Sequence, residues 1–452
     1  MGSGAVECSP ATQPLRKYPI RVDSDFGISV DIGSSISAKV STPQISSDII
    51  CIIGAGAAGT ACAEELLDNG FEGVIKLVTK EDVKAPYDRT LISKRFATVP
   101  YSSILNSPNV SFQNQTEVLS INPIDKKIRV KSIKPDDTVK CGPKKQWEFN
   151  ELSYTKLVLA TGLEPKILFP HISTVTLYTA KDAELLNTLV AEKDVVVIGG
   201  GLLGVETGAN LLQRKRANRC KTTSIIMSET EPAGELYGKD IGKVVRNELE
   251  RMGITIHSGS SAVNATTDYV ELENGEHIPY GILVNAVGTY SSADHLSDNI
   301  ETDEGNKILV NESYCTSDNN VYAIGDCAVH TKYGHEPHWA FAQESGKHAA
   351  RHIMNNPTNT MHETFVWSAI GGLNLRSVGG RFPDCHKTTF HQNGNRSICL
   401  YLNESEHVIG VCTINADPVC ATLAGLLATD TVIHWNNFIA NSGRDSRRIE
   451  IE

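Results

Sequence analysis

Residues 48–59 decide the fold, and they read Asp48-Ile49-Ile50-Cys51-Ile52-Ile53-Gly54-Ala55-Gly56-Ala57-Ala58-Gly59. The apolar run that ends at Ile53 predicts a strand buried on both faces of a parallel sheet. A helical stretch from Thr60 to Leu67 and a second strand from Val74 to Val78 are predicted to follow. In such a unit the glycines permit a tight turn, a close approach of the backbone to a pyrophosphate, and close packing of helix on strand. The N-terminus of the helix attracts the anion, so the stretch predicts a dinucleotide-binding fold.

The same pattern recurs at residues 194–204, which read Asp194-Val195-Val196-Val197-Ile198-Gly199-Gly200-Gly201-Leu202-Leu203-Gly204. A helix through Leu212 and a strand from Thr223 to Met227 are predicted after it. Two such folds in one chain predict two bound dinucleotides, or one bound dinucleotide and one fold that has lost its ligand. Hydride transfer between a nicotinamide and a flavin is the natural use of two.

Three further strand–turn segments fit this arrangement. They are 154–162, which ends in Thr161-Gly162; 283–288, which ends in Gly288; and 321–326, which ends in Gly325-Asp326. The first precedes the second glycine loop, and the other two follow it. The Gly325-Asp326 turn is predicted to bring a backbone N–H and a carboxylate to the sugar or ribityl hydroxyls of a ligand. Each segment alone is an ordinary strand and turn, but their order and spacing favour the ligand-binding interpretation.

Composition limits the function class. The chain has 452 residues, 40% apolar and 21% charged, which is typical of a globular protein of several domains. Its 42 basic and 53 acidic side chains give a net charge of −11. Nucleic acid or an anionic membrane is therefore not expected as the main partner, because both require clustered Lys and Arg. No apolar run is long enough to predict a membrane-spanning helix.

The cysteines favour a reducing compartment. Eleven of them are scattered without a C-x-x-C spacing, and several lie in apolar strands as small hydrophobic residues. Met1 to Pro10 have neither a basic region nor an apolar core, so no secretory signal is predicted. The predicted location is the cytoplasm, with an association with mitochondria as the alternative. Residues 15–22 and 27–32 predict two short strands, and a Ser-rich linker is predicted from Gly33.

Two longer motifs give the chain a family resemblance. Residues 86–94 read Pro86-Tyr87-Asp88-Arg89-Thr90-Leu91-Ile92-Ser93-Lys94, and residues 337–350 read Pro337-His338-Trp339-Ala340-Phe341-Ala342-Gln343-Glu344-Ser345-Gly346-Lys347-His348-Ala349-Ala350. Segments 366–368, 375–379 and 415–418 support the C-terminal part. Together with the glycine loops, these motifs resemble the flavoprotein disulfide reductase superfamily over about residues 47–430. The likeness is to its ferredoxin-reductase and apoptosis-inducing-factor branch, in the Rieske-linked subgroup.

The resemblance implies a fold class and a domain organisation. The fold is expected to be α/β, with two Rossmann-like dinucleotide-binding domains, the NAD fold inserted in the FAD fold, and a C-terminal α+β domain. The FAD-binding domain would comprise 47–167 and 291–336, the NAD(H)-binding domain 168–290, and the C-terminal domain 337–452. Residues 1–46 would be an N-terminal segment and linker, with a remnant of a Rieske module as one interpretation.

The resemblance also implies which residues hold the cofactors, FAD and NAD(H). The FAD site would comprise Gly54, Gly56, Ala57, Ala58, Gly59, Glu81, Arg89, Lys94, Thr161, Gly162, Gly325, Asp326 and Trp339. The NAD(H) site would comprise Gly199, Gly201, Leu202, Leu203, Gly204, Glu206, Glu229 and Gly288. Lys94 would lie beside the isoalloxazine and face Glu206, which is predicted on the first turn of its helix. These two are the predicted catalytic residues.

The sequence departs from the family pattern at the acids that bind ribose. The acid expected after the second strand of the FAD fold is not at Thr79 or Lys80, and Glu81 is the nearest candidate. In the NAD fold Met227 and Ser228 occupy that place, and Glu229 is next. The proline usual after the strand that ends at Gly288 is also missing. These departures put NAD(H) binding in more doubt than FAD binding.

The route by which electrons leave is also open. The family's thiol chemistry requires a cysteine beside the flavin, but Cys62 falls inside the first helix and the next cysteine is Cys141. The Cys-x-His and Cys-x-x-His pairs of a Rieske cluster are absent, so no metal site is predicted. NADH is the expected donor. Electrons should leave for an external acceptor, which is a ferredoxin, a Rieske-type protein, a quinone or oxygen.

Two functions follow from this reading of the sequence. The first is an FAD-dependent NAD(P)H oxidoreductase that passes electrons from NADH through the flavin to an external acceptor. The alternative is an apoptosis-inducing-factor-like binding or signalling flavoprotein, with structural FAD and a weak NAD site. The sequence does not predict the oligomeric state.

Overall fold

The computed structural model describes residues 20–22, 28–30, 47–134, 146–213, 219–292, 300–357, 365–380, 382, 385–428 and 432–434. The helices are α1 (Ala57–Asp68), α2 (Leu91–Arg95), α3 (Ala180–Leu189), α4 (Leu202–Gln213), α5 (Gly234–Tyr237), α6 (Lys239–Arg251), α7 (Trp339–Ile353) and α8 (Asp417–Leu427). The strands are β1 (Ile20–Val22), β2 (Ile28–Val30), β3 (Ile49–Ile53), β4 (Val74–Val78), β5 (Val110–Gln113), β6 (Thr116–Asn122), β7 (Lys127–Lys134), β8 (Gln146–Ser153), β9 (Lys156–Leu159), β10 (Glu164–Pro165), β11 (Asp194–Ile198), β12 (Thr222–Met227), β13 (Thr255–Ser258), β14 (Ala262–Ala265), β15 (Tyr269–Leu272), β16 (His277–Pro279), β17 (Ile282–Asn285), β18 (Thr289–Tyr290), β19 (Ile308–Val310), β20 (Val321–Ala323), β21 (Ala328–His330), β22 (Val366–Ile370), β23 (Leu373–Gly379), β24 (Lys387–Asn393), β25 (Arg396–Leu402) and β26 (Val408–Ile414).

The chain divides into two compact units. Unit 1 comprises Met1–Pro86, Ser102–Gly162 and Ala293–His362, and unit 2 comprises Tyr87–Tyr101, Leu163–Ser292 and Glu363–Glu452. This grouping assigns α2 to unit 2 and α7 to unit 1. The domain boundaries given above remain predictions.

Unit 1 is built on a parallel sheet with the strand order β20-β9-β3-β4-β5. Its central strands are buried on both faces, as their apolar sequences predict. Helix α1 is rich in alanine, a strong helix former, and it ends at Asn69-Gly70, where Gly70 has a φ of +81°. Helix α7 packs closely on α1, because a Cβ on Gly346 would lie 2.3 Å from the carbonyl oxygen of Ala58. The antiparallel sheet β6-β7-β8 follows β5 along the chain.

Unit 2 contains a second parallel sheet, with the order β13-β12-β11-β17, followed along the chain from β13 by the antiparallel sheet β14-β15-β16. Its C-terminal part is a five-stranded antiparallel sheet with the order β22-β23-β26-β25-β24. Helix α8 begins with Asp417-Pro418, where a proline is tolerated because the first helical N–H has no partner within the helix. Val419, Cys420 and Leu423 of α8 pack into the core beneath this sheet.

The predicted fold class is confirmed: the structure is α/β, with two parallel sheets and a C-terminal α+β part. The predicted N-terminal strands are present as the antiparallel pair β1–β2. The Ser-rich linker before Ser47 lies outside the described residues. Within the described residues, no helix combines the length and the apolar character needed to cross a membrane.

Glu64 gives unit 1 a pH-dependent stability. It lies on α1, and Ser102 Oγ donates a hydrogen bond to its Oε1 at 2.5 Å. Burial raises the pKa of Glu64 to about 6, although the Ser102 hydrogen bond and nearby Lys347 both lower it. The folded protein therefore holds this proton more tightly than the unfolded chain, and the free energy of unfolding falls as the pH rises from about 4.5 to about 6.

We expect Glu64→Gln to stabilise the protein above about pH 6, because the amide removes the cost of a buried charge, and to lose this gain below about pH 4.5. The measurement is urea unfolding at a series of pH values. Glu117→Gln, at an exposed position on β6, is the control and should show no such pH-dependent gain. Parallel stability profiles for Glu64→Gln and the parent protein would contradict this prediction.

Candidate functional site

The first glycine loop joins β3 to α1 in unit 1, and its three glycines differ in what surrounds them. Gly54 has a φ of +111°, and a Cβ on it would lie 2.0 Å from the carbonyl oxygen of Ala160. A Cβ on Gly59 would lie 1.9 Å from the carbonyl oxygen of Gly54. Gly56 differs, since nothing in the protein lies within 4 Å of the place where its Cβ would be. Glycine at Gly56 therefore leaves open space in front of the N-terminus of α1.

The second glycine loop joins β11 to α4 in unit 2, and it repeats this arrangement. Gly199 has a φ of +125°, and a Cβ on it would lie 2.1 Å from the carbonyl oxygen of Ala286. A Cβ on Gly204 would lie 2.0 Å from the carbonyl oxygen of Gly199. Nothing lies within 4 Å of a Cβ on Gly201. In both loops the middle glycine faces the open space that a pyrophosphate requires, so the residues present fit two dinucleotides.

The other predicted residues of the two loops lie close to the open spaces at Gly56 and Gly201. Ala57 and Ala58 are the first residues of α1, and Leu202 and Leu203 are the first residues of α4. The backbone N of Thr161 lies 3.3 Å from the Cβ position of Gly54. Gly162 and Gly288 follow the neighbouring strands of the two sheets and have φ values of +68° and +87°.

The Gly325-Asp326 turn lies against the first glycine loop's helix. A Cβ on Gly325 would lie 2.8 Å from Ala58 Cβ, and the Gly325 N–H donates to Ser345 Oγ at 2.9 Å. Asp326 follows Gly325 directly in the chain, and its predicted role on the FAD chain stays a prediction. Trp339 is the first residue of α7, whose N-cap is His338.

The two candidate ribose acids are placed differently. Glu229 Oε2 lies 3.1 Å from the Cβ position of Gly200, so its carboxylate is beside the second glycine loop. Glu81 lies past β4, where its N–H donates to Thr79 Oγ1 at 3.3 Å and its carbonyl oxygen accepts from Gln115 at 3.1 Å. The ribose-binding roles of both acids stay predictions.

Lys94 and Glu206 form the predicted pair, entirely within unit 2. Lys94 Nζ lies 3.1 Å from Glu206 Oε1 and 3.2 Å from Oε2, and it donates to the Thr90 carbonyl at 3.1 Å. The side chains are 18% and 7% exposed. Glu206 is the fifth residue of α4, so it lies on the second turn rather than the predicted first turn. Its carboxylate contacts α2, which carries Lys94.

Two serines that the sequence did not assign complete the pair. Ser93 Oγ donates to Glu206 Oε2 at 2.6 Å, and Ser368 Oγ of β22 donates to Oε1 at 2.6 Å. Asn210 Nδ2, one turn further along α4, donates to the carbonyl oxygens of Ser93 and Glu206 at 3.2 and 2.8 Å. The sequence could have indicated Ser93, because it is next to Lys94 in the motif. No sequence pattern indicated Ser368.

Arg89 lies in an aromatic setting within unit 2. Its guanidinium is 4.8 Å from the ring centre of Tyr178 and 5.6 Å from that of Tyr87, and it donates to the Tyr178 carbonyl at 2.6 Å. Its predicted place near the nucleotide end of FAD stays a prediction.

The cysteines of the first fold are buried. Burial raises the pKa of Cys51 to about 12 and also raises the pKa values of Cys62 and Cys327. These thiols stay protonated at neutral pH and are poor nucleophiles. Among the described residues, no group of three His, Cys, Asp or Glu side chains is placed to hold a metal ion.

The chain is similar to proteins of known family. Residues 48–349 match the family described as pyridine nucleotide-disulphide oxidoreductase. Apoptosis-inducing factor 3 of Homo sapiens is 25% identical, over 100% of this chain and 74% of that protein. Rubredoxin-NAD(+) reductase of Ectopseudomonas oleovorans is 27% identical, over 83% of this chain and 98% of that protein.

A solved structure shows the same fold. The ferredoxin reductase for the CYP199A2 system from Rhodopseudomonas palustris matches with a TM-score of 0.76 at 21% identity, over 88% of this chain and 99% of that chain. The family match includes both glycine loops and the Lys94–Glu206 pair. The chain therefore belongs to the pyridine nucleotide-disulphide oxidoreductase family, as an FAD- and NAD(H)-dependent oxidoreductase of the ferredoxin-reductase and apoptosis-inducing-factor-like type.

Proposed function

We propose that the protein oxidises NADH at bound FAD and passes the electrons to an external carrier of the ferredoxin type. When bound, the two cofactors supply the hydride and electron chemistry, and the chain binds and orients them. The observation that carries the proposal is the identical packing of two glycine loops, each open at its middle glycine.

The binding roles follow from the local chemistry. The free N–H groups and dipoles at the N-termini of α1 and α4 favour pyrophosphate in front of Gly56 and Gly201. The Glu229 carboxylate lies beside the second glycine loop, and Asp326 follows Gly325, which lies against α1. A carboxylate is a strong acceptor for sugar hydroxyls. We assign Asp326 to the FAD chain and Glu229 to the NAD(H) ribose.

Lys94 supplies the positive charge at the reaction centre in this proposal. A charge that is oriented before the reaction stabilises developing negative charge without reorganisation, and it acts most strongly where water is excluded. Glu206 holds the Lys94 ammonium in one place, at 3.1 Å. The partly buried ion pair is therefore a preorganised electrostatic element.

The acceptor is assigned by the chemistry of the described thiols and by the relatives. Buried, protonated cysteines do not favour an internal disulfide as the acceptor. The names of two similar proteins specify rubredoxin and ferredoxin as their partners. A small iron–sulfur protein is thus preferred here over a quinone or oxygen, with the cytoplasm or mitochondria as its place of action. NADH oxidation measured with each acceptor in turn tests this preference.

The alternative function is a binding or signalling flavoprotein with a weak NAD site. A missing ribose acid would favour it, but the Glu229 carboxylate lies beside the second glycine loop. Anaerobic titration with NADH decides between the two functions. Rapid bleaching of the flavin supports the oxidoreductase, and a flavin that stays oxidised supports the alternative.

Gly56→Val is expected to abolish FAD binding while the polypeptide still folds, because its Cβ meets only the open space in front of α1. Gly201→Val is the matched control, which should bind FAD fully and lose NADH affinity. The measurements are the ratio of flavin to protein and the NADH dissociation constant. Gly56→Val protein that purifies with full FAD would show that the first loop is wrongly assigned.

NADH should reduce the flavin faster than NADPH, because Glu229 accepts a bond from a 2′-hydroxyl and repels a 2′-phosphate. Glu229→Gln should reduce the ratio of the two rates by about 10- to 100-fold, the equivalent of one hydrogen bond to a charged group. Stopped-flow reduction with each nucleotide measures the ratio. Glu235→Gln, at an exposed position on α5, should leave it unchanged. A parent enzyme that prefers NADPH would contradict the assignment.

Lys94→Ala should retain FAD and slow its reduction by NADH by about 100- to 1,000-fold, the usual effect of removing one preorganised charge. Lys127→Ala is the control, because its ion pair with Glu151 is 48% and 60% exposed and such pairs contribute about 0–1 kcal/mol. The measurement is anaerobic stopped flow at saturating NADH. Reduction of the Lys94→Ala enzyme at the parent rate would remove Lys94 from the mechanism.

A further inference from the structure

The carboxylate of Glu206, which lies on α4, is held from two other elements of unit 2, α2 and β22. The residue is 5% exposed, and Ser93 and Ser368, the two serines that donate to it, are 5% and 0% exposed. Ser93 and Lys94 lie on α2, Glu206 lies on α4, and Ser368 lies on β22 of the C-terminal sheet. The C-terminal sheet thus contributes a polar side chain directly to the ion pair.

One ammonium group does not satisfy a buried carboxylate. Removing both charges from water costs several kcal/mol per ion, and the attraction between them repays this only where further hydrogen bonds complete the geometry. Each Glu206 oxygen receives one such bond, at 2.6 Å from Ser368 on Oε1 and at 2.6 Å from Ser93 on Oε2. Both distances are typical of strong hydrogen bonds from a hydroxyl to a charged oxygen.

The two hydroxyls also fix the orientation of the carboxylate. With one oxygen held from β22 and the other from α2, the carboxylate group cannot turn about its terminal bond without losing a short hydrogen bond. The ammonium of Lys94 then lies almost equally far from the two oxygens, at 3.1 and 3.2 Å. The position of the lysine charge therefore depends on both serines, although neither touches Lys94 Nζ.

We propose that Ser368 is a positioning residue for the oxidoreductase reaction, acting with Ser93 through Glu206 on the Lys94 ammonium. This inference rests on the proposed function, in which Lys94 acts on the flavin. It assigns the C-terminal sheet a part in the reaction in addition to its structural role. A purely structural serine would instead affect only the stability of that sheet.

The test compares alanine variants of four residues in the FAD-loaded enzyme. Ser368→Ala and Ser93→Ala each remove one hydroxyl, and Lys94→Ala is the reference. Ser377→Ala is the matched control, because Ser377 is a buried serine (4% exposed) on neighbouring β23 whose hydroxyl faces Tyr237 at 3.4 Å. Three quantities are measured: the rate constant of reduction at saturating NADH, the NADH dissociation constant, and the midpoint potential of the bound flavin.

We expect Ser368→Ala and Ser93→Ala each to slow reduction by about tenfold or more, the equivalent of one hydrogen bond to a charged group. The NADH dissociation constant should stay at the parent value. The flavin midpoint potential should shift in the same direction as in Lys94→Ala, and by less, because the charge is displaced rather than removed. Ser377→Ala should leave all three quantities unchanged, whatever it does to the melting temperature.

The outcomes separate this inference from the proposed function. If Lys94→Ala is slow while Ser368→Ala and Ser93→Ala have the parent rate and potential, the positioning role is overturned and the proposed function stands. If Lys94→Ala itself has the parent rate, Lys94 has no part in the reduction and the positioning role is overturned with it, while NADH oxidation at the flavin stands. A parent enzyme whose flavin NADH does not reduce would overturn the proposed function. An equal loss in Ser377→Ala would also overturn the inference, since the effect would then belong to the sheet as a whole. If Ser368→Ala does not fold, the same three quantities measured on Ser93→Ala decide the outcome.

Discussion

In each glycine loop, carbonyl oxygens lie so close to two of the three glycines that no Cβ would fit. Both nucleotide-binding folds depend on this close packing. The ends of the neighbouring strands, at Ala160 and Ala286, lie so close to Gly54 and Gly199 that a Cβ would approach their carbonyl oxygens to 2.0 and 2.1 Å. A side chain at either glycine would push the loop away from the end of the neighbouring strand. The helix N-terminus would then no longer face the space between the strand ends, which is where an anion is held.

The middle glycine of each loop is different, because the protein itself does not require it. A Cβ on Gly56 or Gly201 would meet nothing within 4 Å, so packing alone would permit a larger residue there. Glycine at these positions is explained by what the loop binds rather than by how it folds.

Much of the fold and part of the site follow from the sequence, because they depend on local patterns. The strand–glycine–helix units predicted both parallel sheets. The motif that ends in Lys94 predicted the contact with Glu206, which the structure contains. The contribution of Ser368 depends on β22 reaching α4 from a position 162 residues along the chain. No local pattern encodes such a contact. Glu206 lies one turn later on α4 than predicted because helix ends are set by hydrogen bonding, which sequence patterns locate only to within a residue or two.

The Lys94–Glu206 pair is poorly explained as a source of stability. A buried ion pair replaced by apolar residues of similar volume usually leaves a protein equally stable or more stable. In unit 2 the pair also requires two buried hydroxyls, Ser93 and Ser368, which an apolar cluster would not need. An arrangement that uses three polar side chains to fix one positive charge gains little for folding. It gains most where that charge has to be in place before electrons arrive, because an ammonium already oriented by the protein does not have to reorganise during the reaction.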